Sequence, residues 1–117
     1  MLQNASKEFI ATVILHELTH SFYSINVPTS TEYQQHLSIF GGSALKIGQS
    51  LIELFPNLTP VDATALALTG LDDVILDANG NPDPTRNTYA ETNYGMGVVF
   101  ARNRGLEYSN GTKGTHC

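Results

Sequence analysis

Hydrophobic residues recur at helical intervals along most of the chain, and helix start and stop signals divide it into four segments. The first predicted helix spans residues 6 to 26, with Ser6 as its N-cap and Pro28 just beyond its end. Its apolar residues surround most of the helix circumference. We therefore expect this helix to be buried, with its few polar groups in an apolar setting.

The second segment has equally clear boundaries. Thr29-Ser30-Thr31-Glu32 has the spacing of a capping box, and the apolar residues that follow continue at helical intervals until Pro56. Gly41 and Gly42 lie in the middle of this segment. Such a pair can kink a helix, admit another backbone, or divide the helix in two, and the sequence does not choose among the three.

Two further segments complete the pattern. A Thr-Pro start signal opens a helix that spans residues 59 to 76, with Gly70 as a candidate break. Residues 77 to 84 are rich in Asn, Gly and Pro and predict a polar turn. The last segment opens at Thr85 or Asn87, and its apolar end, residues 98 to 100, is compatible with a helix or with a short strand. The polar tail from residue 109 onwards predicts a loop.

Composition is consistent with one globular domain. The chain has 117 residues, of which 41% are hydrophobic and 15% charged, enough to bury a core. We predict a mainly α domain over residues 1–117, with the first two helices packed together and little or no β-sheet. The chain opens only fifteen residues before His16, too short an upstream segment to form a sheet and a cleft. We therefore expect it to be a piece of a larger protein.

Charge and cysteine content exclude several classes of protein. The net charge is −5 and no cluster of Lys and Arg occurs, which argues against a nucleic acid as the main partner. No window has the apolar length of a transmembrane helix. The single cysteine, Cys117, excludes an intrachain disulfide and a cysteine zinc finger. The compartment and the oligomeric state stay open.

The pattern that carries chemistry is His16-Glu17-Leu18-Thr19-His20. Two histidines four residues apart project from one face of a helix, so both imidazoles can reach a single metal ion. Glu17, next to the first histidine, could take a proton from a metal-activated water. The motif predicts His16 and His20 as ligands of Zn²⁺ and Glu17 as a general base.

A catalytic zinc needs a third protein ligand, and we predict His36. It lies sixteen residues beyond His20, after a Pro-containing turn, so a helical hairpin would carry it back to the first helix. Glu32 and Glu53 are the alternatives. His116 lies in the predicted tail and is expected to be unattached.

Two further groups could bind an ion or stabilise a reaction. Residues 77 to 83 offer side-chain oxygens at alternate positions, as at the start of a calcium loop, but Pro82 takes the place of the turn glycine. We expect a solvated turn there. Tyr89 or Tyr94 could donate a hydrogen bond to a tetrahedral intermediate, although core packing is the favoured interpretation for both.

The motif, with His36 and then Phe40 after it, resembles the SprT-like zincins, in which a third histidine and an aromatic residue follow at about this distance. Over a longer range, to about residue 75, the chain is similar to zincin-like domains of larger bacterial surface or effector proteins. The resemblance implies a helical zincin-type domain, zinc on His16, His20 and His36, and Glu17 as the base of a peptidase acting on peptides or proteins.

The resemblance has limits that shape the functional expectation. The residues around the third histidine are Gln35 and Leu37, where SprT-like proteases commonly have Gly and an acidic residue. The basic regions and cysteine ribbon of those proteases are missing, so their role near DNA is not transferred. The alternative function is a non-catalytic helical module that binds a metal or a partner within a larger bacterial surface or effector protein.

Overall fold

The computed structural model describes residues 4–116, and helices make up nearly all of their regular structure. No strand occurs within these residues; an isolated antiparallel bridge joins Leu76 and Pro82. The prediction of a mainly α domain with little or no sheet is therefore confirmed. The elements are α1 (Lys7–Asn26), α2 (Glu32–Ser38), a π-helical turn (Ile39–Ser43), α3 (Ala44–Leu54), α4 (Pro60–Ala67), α5 (Asp72–Ile75), α6 (Pro84–Tyr94) and α7 (Val98–Ser109).

Side-chain caps explain where the helices begin. Ser6 Oγ accepts from the backbone N–H of Phe9 at 3.2 Å, as predicted for α1. The capping box of α2 begins at Thr31 and pairs it with Gln34, two residues after the start that the sequence suggested. The last segment begins earlier than Thr85, because the Asp83 carboxylate caps α6 and Pro84 occupies its first position.

The Gly41–Gly42 pair divides the second segment at the π-helical turn. A β-carbon at either glycine would meet no atom within 4 Å, so neither position admits a neighbouring backbone. The turn is held from outside instead. Tyr89 and Tyr94 of α6 donate their hydroxyls to the carbonyls of Gly41 and Phe40, and burial raises the pKa of Tyr94 to about 12.

The core lies where α3, α4 and α7 pack together, with α5 and α6 closing it. The close approach of helix backbones occurs at Gly48, where a β-carbon would lie 3.6 Å from the Ala63 carbonyl oxygen. Val98 is buried in the first turn of α7, which settles residues 98 to 100 as helix rather than strand. The largest fully buried hydrophobic side chains are Ile39, Leu51, Leu66, Leu71, Ile75 and Val98.

The prediction that α1 is buried on all sides is wrong. It packs on α3, α4 and α7 through one face, while large apolar side chains on the opposite face are more than half exposed. A pattern that is apolar all round predicts burial on every side, but the described residues cover only one side of this helix. The exposed side chains are Ile14, Leu18, Phe22 and Ile25, at 55%, 61%, 57% and 78%.

Polar contacts tie α1 to the end of the chain. The backbone N–H groups of Ser6 and Lys7 donate to the carbonyls of Tyr108 and Thr115, at 3.0 and 2.8 Å. The buried Glu8 carboxylate accepts from the N–H and the hydroxyl of Thr115, both at 2.8 Å. The polar tail is irregular as predicted, yet these bonds anchor it; Cys117 lies outside the described residues.

A second polar cluster joins α4 to α7. The buried carboxylate of Asp62 accepts from the Tyr108 hydroxyl at 2.5 Å and from the Arg104 guanidinium. The hydrogen bond to Asp62 raises the pKa of Arg104, and burial together with Asp62 raises that of Tyr108. None of the helices within residues 4–116 combines the length and the hydropathy needed to cross a membrane.

Glycine substitutions test this packing. Gly42→Ala should raise the free energy of unfolding by about 0.5–1 kcal/mol, because its β-carbon meets nothing and alanine restricts the unfolded chain. Gly105→Ala should lower it by about 1–3 kcal/mol, because the new β-carbon would lie 2.3 Å from Thr69 Cγ2. Urea unfolding of both variants measures the difference, and equal stabilities would contradict the packing described.

Candidate metal centre

Three histidines from two helices converge on one point. His16 and His20 lie one turn apart on α1, and His36 lies in the last turn of α2. His20 Nε2 is 3.0 Å from the Nε2 atoms of both His16 and His36, which are themselves 3.3 Å apart. The structure thus brings together the three histidines that the sequence singles out.

The spacing of these atoms suits a tetrahedral metal ion. Nitrogen ligands about 2.0–2.1 Å from zinc lie about 3.3 Å apart when they occupy tetrahedral corners. The three Nε2 atoms form a triangle with sides of 3.0, 3.0 and 3.3 Å. The cluster could therefore hold an ion at three corners and leave the fourth corner to an exogenous ligand.

Gln35 fixes the tautomer of His20. The buried Gln35 amide donates through Nε2 to the hydroxyls of Ser24 and Ser30, at 3.1 and 2.9 Å, so its oxygen faces the imidazole. His20 Nδ1 donates to that oxygen at 2.7 Å. The proton of neutral His20 is therefore on Nδ1, and its Nε2 presents a lone pair to the cluster.

Asp73 does the same for His36. Both carboxylate oxygens lie 2.9 Å from His36 Nδ1, and a carboxylate only accepts hydrogen bonds. His36 Nδ1 is consequently the donor and Nε2 the lone-pair atom. A carboxylate that accepts from a ligand histidine also fixes the orientation of the ring, which favours metal binding.

The arrangement of the three Nε2 atoms suits a bound cation better than shared protons. Because Nδ1 carries the proton in both His20 and His36, neither neutral ring can donate through Nε2 to the other across their 3.0 Å separation. A proton on His16 Nε2 could bridge to one of the two rings, whereas a metal ion would contact all three Nε2 atoms at once. The donor set consequently fits a metal ion.

His16 completes the cluster on the side of the loop after α4. Burial lowers the pKa of His16, and a positive charge on His20 or His36 would lower it further, against the opposing effect of Glu17 and Glu32. The ring also fits closely against the backbone: a β-carbon at Gly70, whose φ is +79°, would lie 3.3 Å from His16 Cε1. Glycine at this position therefore serves both the turn and the site.

Glu17 lies at the open edge of the cluster. Its side chain is exposed, and it lines a cleft of about 220 Å³ together with His16. Phe9, Val13 and Gly70 contribute to the walls of this cleft. The carboxylate predicted as a base is thus accessible to a molecule that enters beside His16.

The other candidate residues lie outside the cluster. Glu32 and Glu53 are exposed and do not join the three imidazoles, and His116 Nε2 contacts the Gly111 carbonyl oxygen at 3.1 Å. The Asp77 carboxylate accepts from the backbone N–H groups of Asn79 and Asn81 at 2.8 and 3.0 Å. That pattern is a turn closed on its own backbone, as expected for residues 77 to 83.

Sequence reasoning missed Gln35 and Asp73. Gln35 lies next to His36 in sequence but serves His20, because successive helical side chains point in different directions. Asp73 is thirty-seven residues beyond its partner His36, on a short helix with no motif of its own. The available signal was general: a ligand histidine needs an acceptor for its second nitrogen.

Comparison with protein-family models, curated proteins and solved structures finds no match to this chain. The function is therefore inferred from the geometry of the histidine cluster and from the motif that forms it.

Loss of one imidazole tests the cluster. His36→Ala should lower zinc affinity at least about 100-fold, because two histidines remain of three ligands. Elemental analysis and zinc titration of the chelator-treated protein measure the change. His116→Ala is the matched control, since this histidine contacts Gly111 instead. Unchanged zinc content in His36→Ala would remove that residue from the ligand set.

The two adjacent aspartates of α5 test the supporting hydrogen bond. Asp73→Ala should weaken zinc binding about 10- to 100-fold, because His36 loses the acceptor that orients it. Asp72→Ala should leave zinc affinity unchanged, because Asp72 pairs with Arg102 on the surface. Competition titration against a chromogenic chelator compares the two, and equal affinities would refute a role for Asp73.

Proposed function

We propose that the chain is a zinc-dependent peptidase that hydrolyses peptide bonds, with His16, His20 and His36 as ligands and Glu17 as general base. The observation that carries the proposal is the convergence of three imidazole Nε2 atoms at tetrahedral spacing beside an accessible carboxylate. Three neutral imidazoles are a typical ligand set for catalytic zinc. An ion held by these three imidazoles would polarise a carbonyl group and lower the pKa of water toward neutrality.

Glu17 supplies the acid–base chemistry. Its carboxylate follows His16 directly in sequence and faces the same cleft, so a water molecule that enters there comes within its reach. The carboxylate takes a proton as that water attacks the carbonyl carbon and returns it to the departing amine nitrogen. Glu17 can serve both steps because the proton that it accepts from water is the proton that it donates to the amine nitrogen.

A second cavity adjoins the cleft beside Glu17. It has a volume of about 140 Å³, shares Phe9, Thr69 and Gly70 with the cleft, and extends toward Leu106 and Arg102. Its walls are mainly apolar side chains and backbone. A peptide lying along it would place one side chain in each cavity and its backbone near His16.

A second candidate function is a helical module in which the metal is structural. The tyrosine hydroxyls considered as donors to a reaction intermediate are both engaged: Tyr94 donates to Phe40 and Tyr89 to Gly41. The cluster also joins α1, α2 and, through Asp73, α5, as a structural site would. Under this alternative Glu17 is an ordinary surface residue.

Glu17→Gln distinguishes the two functions. The variant should bind zinc as the wild type does, because Glu17 is not a ligand, and its turnover of an unstructured protein substrate should fall at least about 100-fold. Glu53→Gln, an exposed carboxylate remote from the cluster, should keep full activity. Assays with and without a chelator measure both effects.

Two results would contradict the peptidase. Activity that survives in Glu17→Gln would exclude the proposed base. A wild-type protein that binds zinc tightly and gains thermal stability from it, yet cleaves nothing, would favour the structural alternative.

A further inference from the structure

The outer face of α1 is an apolar surface that the described residues leave uncovered. Ile14, Leu18, Phe22 and Ile25 follow one another along this face, and each is more than half exposed. From residue 9 to residue 27 the sequence contains one formally charged side chain, Glu17, at the edge of this surface. We call these four residues the α1 ridge.

The area of the α1 ridge is large for a monomer. Four large side chains at these exposures present roughly 500 Å² of apolar surface, near the upper end of the patches found on monomeric proteins. Two such surfaces in contact would bury roughly 1,000 Å², about the minimum for a specific interface. A second copy of the chain would therefore supply enough area.

The central part of the ridge is symmetric about Leu18, because Ile14 and Phe22 lie four residues to either side of it. A two-fold axis at Leu18 would pair each residue with the one that lies equally far on the other side, so Ile14 of one copy would face Phe22 of the other. The same axis would place Ile25 opposite the small, partly buried Ala11. Large thus meets small at both ends of the pairing, with Leu18 against Leu18 in the centre.

A groove beside the ridge completes the match. Leu15, Leu18, Phe22 and Ile47 contribute to a groove of about 310 Å³ between α1 and α3. In the two-fold arrangement, Ile14 and Leu18 of one copy face the groove of the other copy. The face therefore offers both a ridge and a recess to its own image, as an isologous interface requires.

We propose that two copies of this chain associate through antiparallel contact of their α1 ridges, centred on Leu18. The chemistry of the face favours a second copy over an anionic lipid surface: Lys46 is the one Lys or Arg that lines the groove, whereas faces that bind anionic lipid are flanked by several. The proposal does not depend on catalysis. It places the partner along the side of α1 that bears Glu17, so the dimer would also border the cleft.

A charge at the centre of the ridge tests the proposal. Wild-type protein should sediment at twice the monomer mass at high micromolar concentration, and Leu18→Glu should raise the dimer dissociation constant at least about 100-fold. Leu106→Glu is the matched control, because Leu106 is an exposed leucine on α7, away from the ridge. Circular dichroism verifies that each variant remains helical.

Cysteine cross-linking tests the register without adding a charge. Helices pack with axes about 8–10 Å apart, which puts the Cα atoms of a residue on the two-fold axis about 4–5 Å apart, close enough for a disulfide. In a Cys117→Ser background, Leu18→Cys should form a disulfide-linked dimer on mild oxidation and Leu106→Cys should not. A wild type that stays monomeric, a Leu18→Glu variant that still dimerises, or equal cross-linking of the two cysteine variants would overturn the proposal.

Discussion

The convergence of three imidazole Nε2 atoms is the constraint on which this structure depends. Two of them, on His20 and His36, present lone pairs 3.0 Å apart, and such neighbours are stable when a donor or a cation lies between them. The turn between α1 and α2, the short helix α5 and the left-handed backbone at Gly70 each bring a group to this point. The site is thus a junction of three parts of the chain, and an ion bound there would stabilise their relative positions as well as any chemistry.

The remaining helices act as a frame for that junction. The core of α3, α4 and α7 supports α1 along one face, and the Asp62 cluster holds α4 to α7. Three tyrosine hydroxyls contact the π-helical turn that follows His36. Tyr89 and Tyr94 donate to its carbonyls, and the Tyr23 hydroxyl lies 2.5 Å from Ser43 Oγ. The third imidazole is therefore positioned by distant residues.

Local signals predicted most of the helices and the three histidines, because caps and a two-histidine motif are short-range patterns. Asp73 could not be predicted, since only the folded chain brings α5 behind His36. Exposure of the α1 ridge could not be predicted either, because an apolar pattern does not say which molecule covers it. Gly41 and Gly42 predicted an interruption of the helix but not a π-helical turn, because the form of the interruption depends on where α6 places the hydroxyls of Tyr89 and Tyr94.

The π-helical turn also determines the rotation of α3 relative to α2. A π-turn contains one residue more than an α-turn, so it rotates everything after it by about 100° relative to an uninterrupted helix. His36 lies before the turn, and the buried face of α3, with Ile47 and Leu51, lies after it. The extra residue thus sets the angle between His36, which reaches the cluster with α1, and the buried face of α3, which packs on α4. In this segment the number of residues is as strongly constrained as their identity.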